Sequence, residues 1–432
     1  MSRPRVLISA FSCNPERGSE PGVGHFFVSA LAEHCDLTVI TESVENRAAI
    51  ERRQEIDPVY AAIDFKFIPW PEVDDEGRRI DDRSSYHFYK CLRRWERRAF
   101  RLARKLTSEQ TFDLTHHLTM QGYREPGYLW RLGLPFVWGP VGGHAQMPWR
   151  YFSMLGWRGW LRYGSRNIGN TLQARLHGRV HKAAAAAKAI VVNTSAEKHA
   201  FEKHHGVSPA VIAEFGAEPS DVQPRRRNND EPFRIAWSGV HVPRKGLPIL
   251  LYAMARLPKN LKIEAHILSN GPEEFRWQAL ARKLGVAHQC IWHGRLPRTQ
   301  AIATMSKCDV FALTSLLDGT SCVLNEAISV GLPVICHDAC GFADIVDRAC
   351  GILVPLQSPA HSGKAFAAAI TDLATNESLY ESLRSGAIRR AGEISADVRA
   401  RQMIGVYEQV LGRPIEASHV DRVVSLACGV AS

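Results

Sequence analysis

The sequence predicts an α/β protein with two doubly wound, parallel-sheet domains. A chain of 432 residues is too long for one ordinary core, so two domains of about 200 residues each are expected. Short apolar runs alternate with helix-length amphipathic segments along the whole chain. About six such strand–helix repeats in each half indicate parallel sheets with helices on both faces.

The apolar runs also predict where the domains divide. We expect a Rossmann-like domain over 1–217, a linker over 218–232, a second Rossmann-like domain over 233–395, a helix over 396–412 and a tail over 413–432. The linker prediction rests on a polar, charged stretch with three prolines. The predicted strands are 6–10, 37–41, 65–69, 114–117, 136–138 and 189–193 in the first half, and 234–238, 262–268, 291–293, 310–314, 333–336 and 351–355 in the second.

Composition narrows the class of protein. The hydrophobic content of 45% and charged content of 23% are typical of a soluble globular protein. No apolar run reaches the roughly 18 residues of a membrane-spanning helix, and the N-terminus reads as a first strand, so a cytoplasmic protein is expected. The ten cysteines are scattered without a CxxC pair, which favours free thiols and no metal.

The net charge of +10 calls for an explanation, and anionic partners are one. Phosphate-bearing substrates, an anionic membrane and nucleic acid all qualify, but no nucleic-acid module signature is present, so no nucleic acid is expected. Two segments that mix aromatic residues with arginines, 86–101 and 149–163, suit an anionic membrane at which the protein would be peripheral, or a lipid-phosphate acceptor. A solvated basic helix is the alternative.

Ligands of doubly wound sheets lie at the carboxyl ends of the strands, so the loops there are candidate sites. After the first strand, Gly18, Ser19 and Glu20 precede a helix whose N-terminus suits a phosphate or sugar hydroxyls. The pattern is not GxGxxG, and a plain tight turn is the alternative. After the fifth strand, Gly142 and Gly143 form a loop suited to acceptor contact, or a structural turn.

Two histidines, His116 and His117, end the fourth predicted strand. At that position a histidine can contact a transferred sugar and stabilise developing charge. The alternative is a hydrogen-bonded structural histidine.

In the second half, Arg244 and Lys245 follow the first strand and can hold a diphosphate leaving group. A surface turn with ordinary charges is the alternative. Asp318 lies in a later loop, and Glu326 lies eight residues on, inside a helix that begins near Ser321. Carboxylates accept paired hydrogen bonds from ribose or sugar hydroxyls, and the helix N-terminus would meet the donor. The residues between them complete this loop: Gly319, Thr320 and Ser321.

These residues resemble retaining GT-B glycosyltransferases of glycosyltransferase family 4, over nearly all of the chain up to about residue 412. The strongest match runs from Asp318 to Glu326 and on through the segment 331–335. Further matches are Lys245-Gly246, 270–273 with Gly271, His293-Gly294 and 18–20, while 138–143 is similar to an exopolysaccharide-type branch.

The resemblance implies roles for individual residues. Lys245 would hold the donor diphosphate, Glu326 the ribose and Asp318 the donor sugar, without a metal or cofactor. His116 or His117 would contact the sugar at the reaction centre, Gly18 and Ser19 would approach the phosphate or acceptor, and the helix from about Ala396 would cross back to the first domain. Two departures stand out: Asp318 replaces the usual glutamate, and Val240 replaces the usual arginine. Arg244 or Arg295 would then supply the second cation.

The function implied is transfer of a sugar, with retained configuration, from a UDP- or GDP-sugar to a glycan or lipid-linked acceptor in surface polysaccharide biosynthesis. Two alternatives stay open at this point. One is an epimerase or phosphorylase of the same fold. The other is a non-catalytic nucleotide-binding scaffold subunit.

Overall fold

The computed structural model describes residues 3–79, 86–218, 227 and 231–416. Most of the predicted linker and most of the predicted tail lie outside these residues. The chain forms two compact units. The first comprises residues 1–144 and 173–214 and the chain from 399 onward, and the second comprises residues 145–172 and 215–398.

The first sheet has seven parallel strands in the order β3-β2-β1-β4-β5-β6-β7, and the second has six in the order β10-β9-β8-β11-β12-β13. The predicted fold class is therefore confirmed. The strands of the first sheet are β1 Arg5–Ala10, β2 Asp36–Glu42, β3 Asp64–Ile68, β4 Leu114–Thr119, β5 Phe136–Val141, β6 Ala189–Val192 and β7 Ala210–Val211. Those of the second are β8 Phe233–Ser238, β9 Ile263–Leu268, β10 Cys290–Gly294, β11 Val310–Leu313, β12 Val334–Asp338 and β13 Gly351–Pro355.

Helices connect the strands of both units and cover the sheets. In chain order they are α1 Glu20–Ala32, α2 Ser43–Ile56, α3 Pro58–Ala61, α4 Tyr86–Glu109, α5 Trp157–Leu176, α6 Gly178–Ala186, α7 Ser195–His205, α8 Leu247–Met254, α9 Glu274–Lys283, α10 Arg298–Met305, α11 Cys322–Ser329, α12 Pro359–Thr375, α13 Glu377–Glu393 and α14 Ala396–Leu411. Within the part of the chain that the structure describes, no helix is both long and apolar enough to span a bilayer.

The segment 145–172 departs from a simple division of the chain near residue 217. The sequence assigned this segment to the first domain, but its side chains pack in the core of the second unit. Tyr151 is fully buried there, and its hydroxyl shares a 2.7 Å hydrogen bond with Ser362 of α12. Burial of this aromatic cluster stabilises the segment on the second unit. The buried side chains of the segment are Met147, Tyr151, Phe152, Leu155 and Tyr163.

The C-terminal helix α14 contributes to the first unit. Residues from Arg399 onward group with that unit, and Tyr407 is fully buried. The Tyr407 hydroxyl lies 2.7 Å from Nδ1 of His116 on β4, so the last helix is tied to a central strand.

Candidate functional site

In the second sheet the strand order reverses between β8 and β11. These neighbouring strands are followed by connections that leave to opposite sides of the sheet, which is the topological switch point where ligands of doubly wound folds bind. The loop after β8 covers residues 239–246, and the loop after β11 covers residues 314–321. The predicted diphosphate residues lie on the first loop and the predicted acid Asp318 lies on the second.

Close packing fixes these two loops against each other. Gly246 has a φ of 65°, and a Cβ at this position would lie 2.3 Å from the carbonyl oxygen of Thr314. Trp237 Nε1 donates to the Thr314 hydroxyl at 2.9 Å, and that hydroxyl donates to the Lys245 carbonyl oxygen at 3.0 Å. Only glycine combines this backbone conformation with this approach, so Gly246 sets where Lys245 points.

Arg244 and Lys245 converge on Asp318. The Lys245 ammonium pairs with Oδ2 of Asp318, and Arg244 Nη1 lies 3.3 Å from Oδ1 and 3.1 Å from the Leu317 carbonyl oxygen. The Lys245 side chain is 11% exposed and that of Asp318 16%, so the pair is only weakly screened by solvent. The structure thus brings together two cations and the shortened acid that sequence reasoning singled out.

The start of α11 adds polar groups to the same place. Ser321 occupies the N-cap but makes no side-chain capping bond, and the buried Thr320 hydroxyl has no hydrogen-bond partner among the described residues. Gly319 is half-buried beside them. The first N–H groups of a helix carry partial positive charge and suit anionic or hydroxyl ligands.

Glu326 lies one turn further along α11. Its Oε1 accepts a 2.7 Å hydrogen bond from Arg298 Nε, and Arg298 Nη1 donates to Glu218 at 2.9 Å. Burial raises the pKa of Glu326, and Arg298 opposes that rise. A small cavity of about 100 Å³ adjoins these three side chains. Sequence reasoning missed Arg298, because its partner Glu326 is 28 residues away.

Gly271, another residue predicted to bind the donor, helps to hold two loops of the site together. A Cβ on Gly271 would lie 2.7 Å from the backbone nitrogen of His241. His241 N donates to the Asn270 carbonyl oxygen at 3.0 Å and its own carbonyl oxygen accepts from Glu273 N at 3.0 Å, so the loops after β8 and β9 are clipped together. Arg295 is exposed just after β10.

In the first unit, the structure buries both predicted histidines on β4. Sequence reasoning placed one of them against a sugar, but His116 and His117 are 0% and 2% exposed, because a loop and α14 cover the end of this central strand. His116 Nε2 lies 2.6 Å from the Gly139 carbonyl oxygen and its Nδ1 bonds Tyr407, so both ring nitrogens are occupied. His117 Nε2 donates to the Glu125 carbonyl oxygen at 3.1 Å. Burial lowers the pKa of His116 to about 4 and that of His117 to about 3, so both rings are neutral.

The loop that carries Gly18, Ser19 and Glu20 also meets the switch point of its sheet, where β1 neighbours β4. Ser19 is the N-cap of α1 with a φ of 59°, and Gly18 has open space around its α-carbon. A carboxylate oxygen of Glu20 accepts a 2.8 Å bond from the backbone nitrogen of Gln121, which joins the loops after β1 and β4.

The loop that carries Gly142 and Gly143 is held by one carboxylate. Glu197, in the first turn of α7, accepts bonds from the backbone nitrogens of Gly143 at 3.0 Å and His144 at 2.9 Å, and Nδ1 of His144 lies 2.7 Å from Oε2. Gly142 forms a bridge with Gly122, so this loop also reaches the segment after β4. Glu197 therefore fixes the backbone of this loop at Gly143 and His144.

A buried charge cluster beneath β4 was not found from the sequence. Glu125, 1% exposed, binds Arg93 at 2.8 Å and also pairs with Arg179. Glu96 lies beside them, with Arg179 Nη1 3.9 Å from its Oε2. These residues come from α4, the loop after β4 and α6, so no spacing pattern within one segment of the sequence could indicate the cluster.

The two basic-aromatic segments differ in the structure. On α4 Phe88 and Trp95 are almost fully buried, and the exposed side chains are mostly arginines and lysines, with Tyr86 at the start of the helix as the exposed aromatic residue. On α5 several large apolar side chains face outward beside exposed Arg158 and Arg162. The exposed apolar side chains of α5 are Trp157, Trp160, Leu161, Ile168, Leu172 and Leu176.

Known proteins resemble this chain in sequence. Residues 220–390 match the family model described as glycosyl transferases group 1. The lipopolysaccharide glucosyltransferase WaaG of Escherichia coli strain K12 is 28% identical over 173 residues, which cover 36% of this chain and 45% of WaaG. A D-inositol 3-phosphate glycosyltransferase of Jonesia denitrificans is 28% identical over 246 residues, which cover 51% of this chain and 57% of the relative. The chain thus spans about half the length of these curated relatives.

Solved structures resemble it over most of the chain. Sucrose-phosphate synthase from Thermosynechococcus elongatus superimposes with a TM-score of 0.64 at 15% identity, over 95% of this chain and 100% of that protein. HepE of Anabaena, solved with UDP, gives a TM-score of 0.62 at 15% identity, over 94% of this chain and 99% of that one. These likenesses show the fold.

The fold is the GT-B fold that the sequence predicted, and the sequence similarity to glycosyl transferases group 1 is confined to residues 220–390. The matched residues 220–390 make up most of the second unit and include Arg244, Lys245, Asp318 and Glu326. Assignment to family 4 stays a prediction.

Proposed function

We propose that this protein transfers a hexose from a UDP- or GDP-sugar to a glycan or lipid-linked acceptor, with retained anomeric configuration and without a metal ion. The reaction would belong to surface polysaccharide biosynthesis, on the cytoplasmic side of a membrane. The observation that carries the proposal is the convergence of Arg244, Lys245 and Asp318 beside the start of α11, at the switch point of the second sheet.

The diphosphate would bind the two cations. A leaving diphosphate gains negative charge as the glycosidic bond breaks, and fixed cations stabilise that charge in the transition state. Because Arg244 and Lys245 already share Asp318, the diphosphate would compete with this carboxylate and release it toward hydroxyls of the donor sugar. The second cation predicted from the sequence is thus best assigned to Arg244.

Glu326 would bind the ribose hydroxyls, with Arg298 holding the carboxylate in place. Gly319, Thr320 and Ser321 would meet the donor through backbone N–H groups and the Thr320 hydroxyl. On the acceptor side, the loops that carry Gly18 and Gly143 would contact the acceptor or a phosphate. His117 and His116 would act mainly by supporting these loops, since both are buried and neutral.

For the chemical step, a β-phosphate oxygen of the leaving group would help to remove the proton of the acceptor hydroxyl on the same face of the sugar. The new glycosidic bond would then form on the side from which the diphosphate leaves. No protein carboxylate would need to form a covalent intermediate.

The test is turnover by variants of the two central residues. Lys245→Ala and Glu326→Ala should each lower kcat/KM by about 10- to 100-fold, since a hydrogen bond to a charged group contributes about 1.5–3 kcal/mol. Exposed residues of the same unit provide matched controls, Lys364→Ala and Glu377→Ala. Near-normal rates for both site variants, with folding intact, would contradict the assignment, and an inverted anomer in the product would contradict retention.

An anionic membrane surface is the second part of the proposal. Amphipathic helices with exposed tryptophans and arginines bind the headgroup region of anionic bilayers, and α5 presents this combination. The basic face of α4 would add only long-range attraction.

Sedimentation with sucrose-loaded vesicles tests this part. The double variant Trp157→Ser with Trp160→Ser should lose most of its binding to phosphatidylglycerol vesicles. Phe275→Ser is the control, because Phe275 is 85% exposed on α9 of the same unit. Equal binding by both variants, or equal binding to phosphatidylcholine vesicles, would overturn the membrane assignment.

A further inference from the structure

Three metal-ligand side chains meet at the beginning of α4, away from the switch points of both sheets. His87 and Cys91 are four residues apart on this helix and therefore lie on one face of it. Glu72 approaches them from the chain that follows β3. Their ligand atoms all lie within 4.8 Å of one another.

The distances fit a small tetrahedral ion. His87 Nε2 lies 3.6 Å from Cys91 Sγ, which is close to the separation of two ligands bound to zinc at about 2.1 and 2.3 Å in tetrahedral geometry. Nε2 of His87 lies 2.7 Å from Oε2 of Glu72, a hydrogen-bond distance that would open by about half an ångström around a metal. The half-exposed imidazole leaves an approach from solvent.

Arg94 completes the arrangement, because its Nη1 donates to Oε1 of Glu72 at 3.1 Å. This bond occupies the outer carboxylate oxygen and directs Oε2 toward His87. Partners of this kind orient the ligands in many metal sites. A thiolate and a carboxylate would balance the charge of a divalent ion, so the neighbouring guanidinium is tolerated.

We propose that Glu72, His87 and Cys91 bind a zinc ion, with water in the fourth position, and that this ion stabilises the junction between β3 and α4. The site lies outside the machinery of sugar transfer and does not rest on the proposed function. On binding, the Cys91 thiol gives up its proton to solvent and His87 binds through the lone pair of Nε2. A hydrogen-bonded triad without metal is the competing explanation.

The experiment uses the full-length protein, stripped with a chelator and dialysed. Titration with zinc against a chromophoric chelator should give one equivalent bound, and zinc should raise Tm by mass action. Cobalt should give a thiolate-to-metal charge-transfer band in the near ultraviolet. His87→Ala should weaken zinc binding at least about tenfold, and Cys91→Ser should abolish the band.

Two variants serve as controls within the same assay. His199→Ala removes an exposed histidine of the first unit and Cys290→Ser a half-buried free cysteine, and both should bind as the parent protein does. Because His87 is half exposed, its replacement leaves the fold intact even where Cys91→Ser does not. Absence of the charge-transfer band in the parent protein, or equal zinc affinity in His87→Ala, would show a hydrogen-bonded triad only.

Discussion

The carboxyl group of Glu96 is buried, and neither of its oxygens has a hydrogen-bond partner among the described residues. Burial and the nearby charge of Glu125 together raise the pKa of Glu96 to about 8, against the opposing effect of Arg179. In the folded protein Glu96 is therefore protonated and neutral up to about pH 8. Such a group couples stability to pH.

The direction of that coupling follows from the two pKa values. In the unfolded chain Glu96 should titrate near its ordinary value of 4.5, and in the folded protein near 8. Its contribution is fully present below the lower value and is lost as the pH rises through the upper one. We therefore expect the free energy of unfolding to fall between about pH 5 and pH 9, and Glu96→Gln to remove part of that fall.

Urea denaturation at pH 6 and pH 9 measures this. Glu109→Gln, which changes an exposed carboxylate at the end of the same helix, should leave the pH dependence as it is. A Glu96→Gln protein with the same pH dependence as the parent would show that Glu96 is not protonated in the fold.

Among the elements, the loop between β8 and α8 depends on one backbone conformation. Gly246→Ala should destabilise the second unit and displace Lys245, because the added methyl group would press on the Thr314 carbonyl group at 2.3 Å and because φ is 65°. The conformational term alone costs about 1–2 kcal/mol.

Gly285→Ala separates the two causes. Gly285 has a φ of 73° but nothing within 4 Å of an added Cβ, so this variant carries only the conformational cost. Thermal unfolding should rank Gly246→Ala below Gly285→Ala, and nucleotide binding should be weakened only in Gly246→Ala. Equal Tm values and equal nucleotide binding for the two variants would mean that the close contact between residue 246 and Thr314 affects neither stability nor binding.

The element α14 offers a second prediction. Tyr407→Phe removes the hydroxyl that bonds His116 and leaves Nδ1 of a buried imidazole unpaired, which costs about 1–3 kcal/mol. The Tm should fall, while Tyr252→Phe, at a ring 38% exposed on α8, should change it little. A Tyr407→Phe protein as stable as the parent would show that this bond does not hold the helix.

For the whole molecule, the sequence predicted the fold well because parallel strands buried on both faces are short, continuous apolar runs. Twelve strands were located within a few residues, and the missed β7 has only two residues. The boundary near residue 217 was less accurate for 145–172, because a periodic pattern tells which side chains are buried but not which core receives them.

The candidate site in the second unit was also only partly predictable from the sequence. The positions of Lys245, Asp318 and Glu326 after strands could be deduced from local order. The partners Arg298 of Glu326 and Arg179 of Glu125 lie 28 and 54 residues away, so only folding reveals them. Burial of His116 and His117 follows from covering elements far along the chain, α14 among them.

The central claim is that the second unit binds the diphosphate of a nucleotide sugar through Lys245 and its neighbours. Calorimetric titration of the parent protein and of Lys245→Ala with a nucleoside diphosphate and the matching monophosphate tests it most directly. The parent should bind the diphosphate more tightly, by about tenfold or more, and Lys245→Ala should lose that preference. An unchanged preference for the diphosphate in Lys245→Ala would contradict the claim.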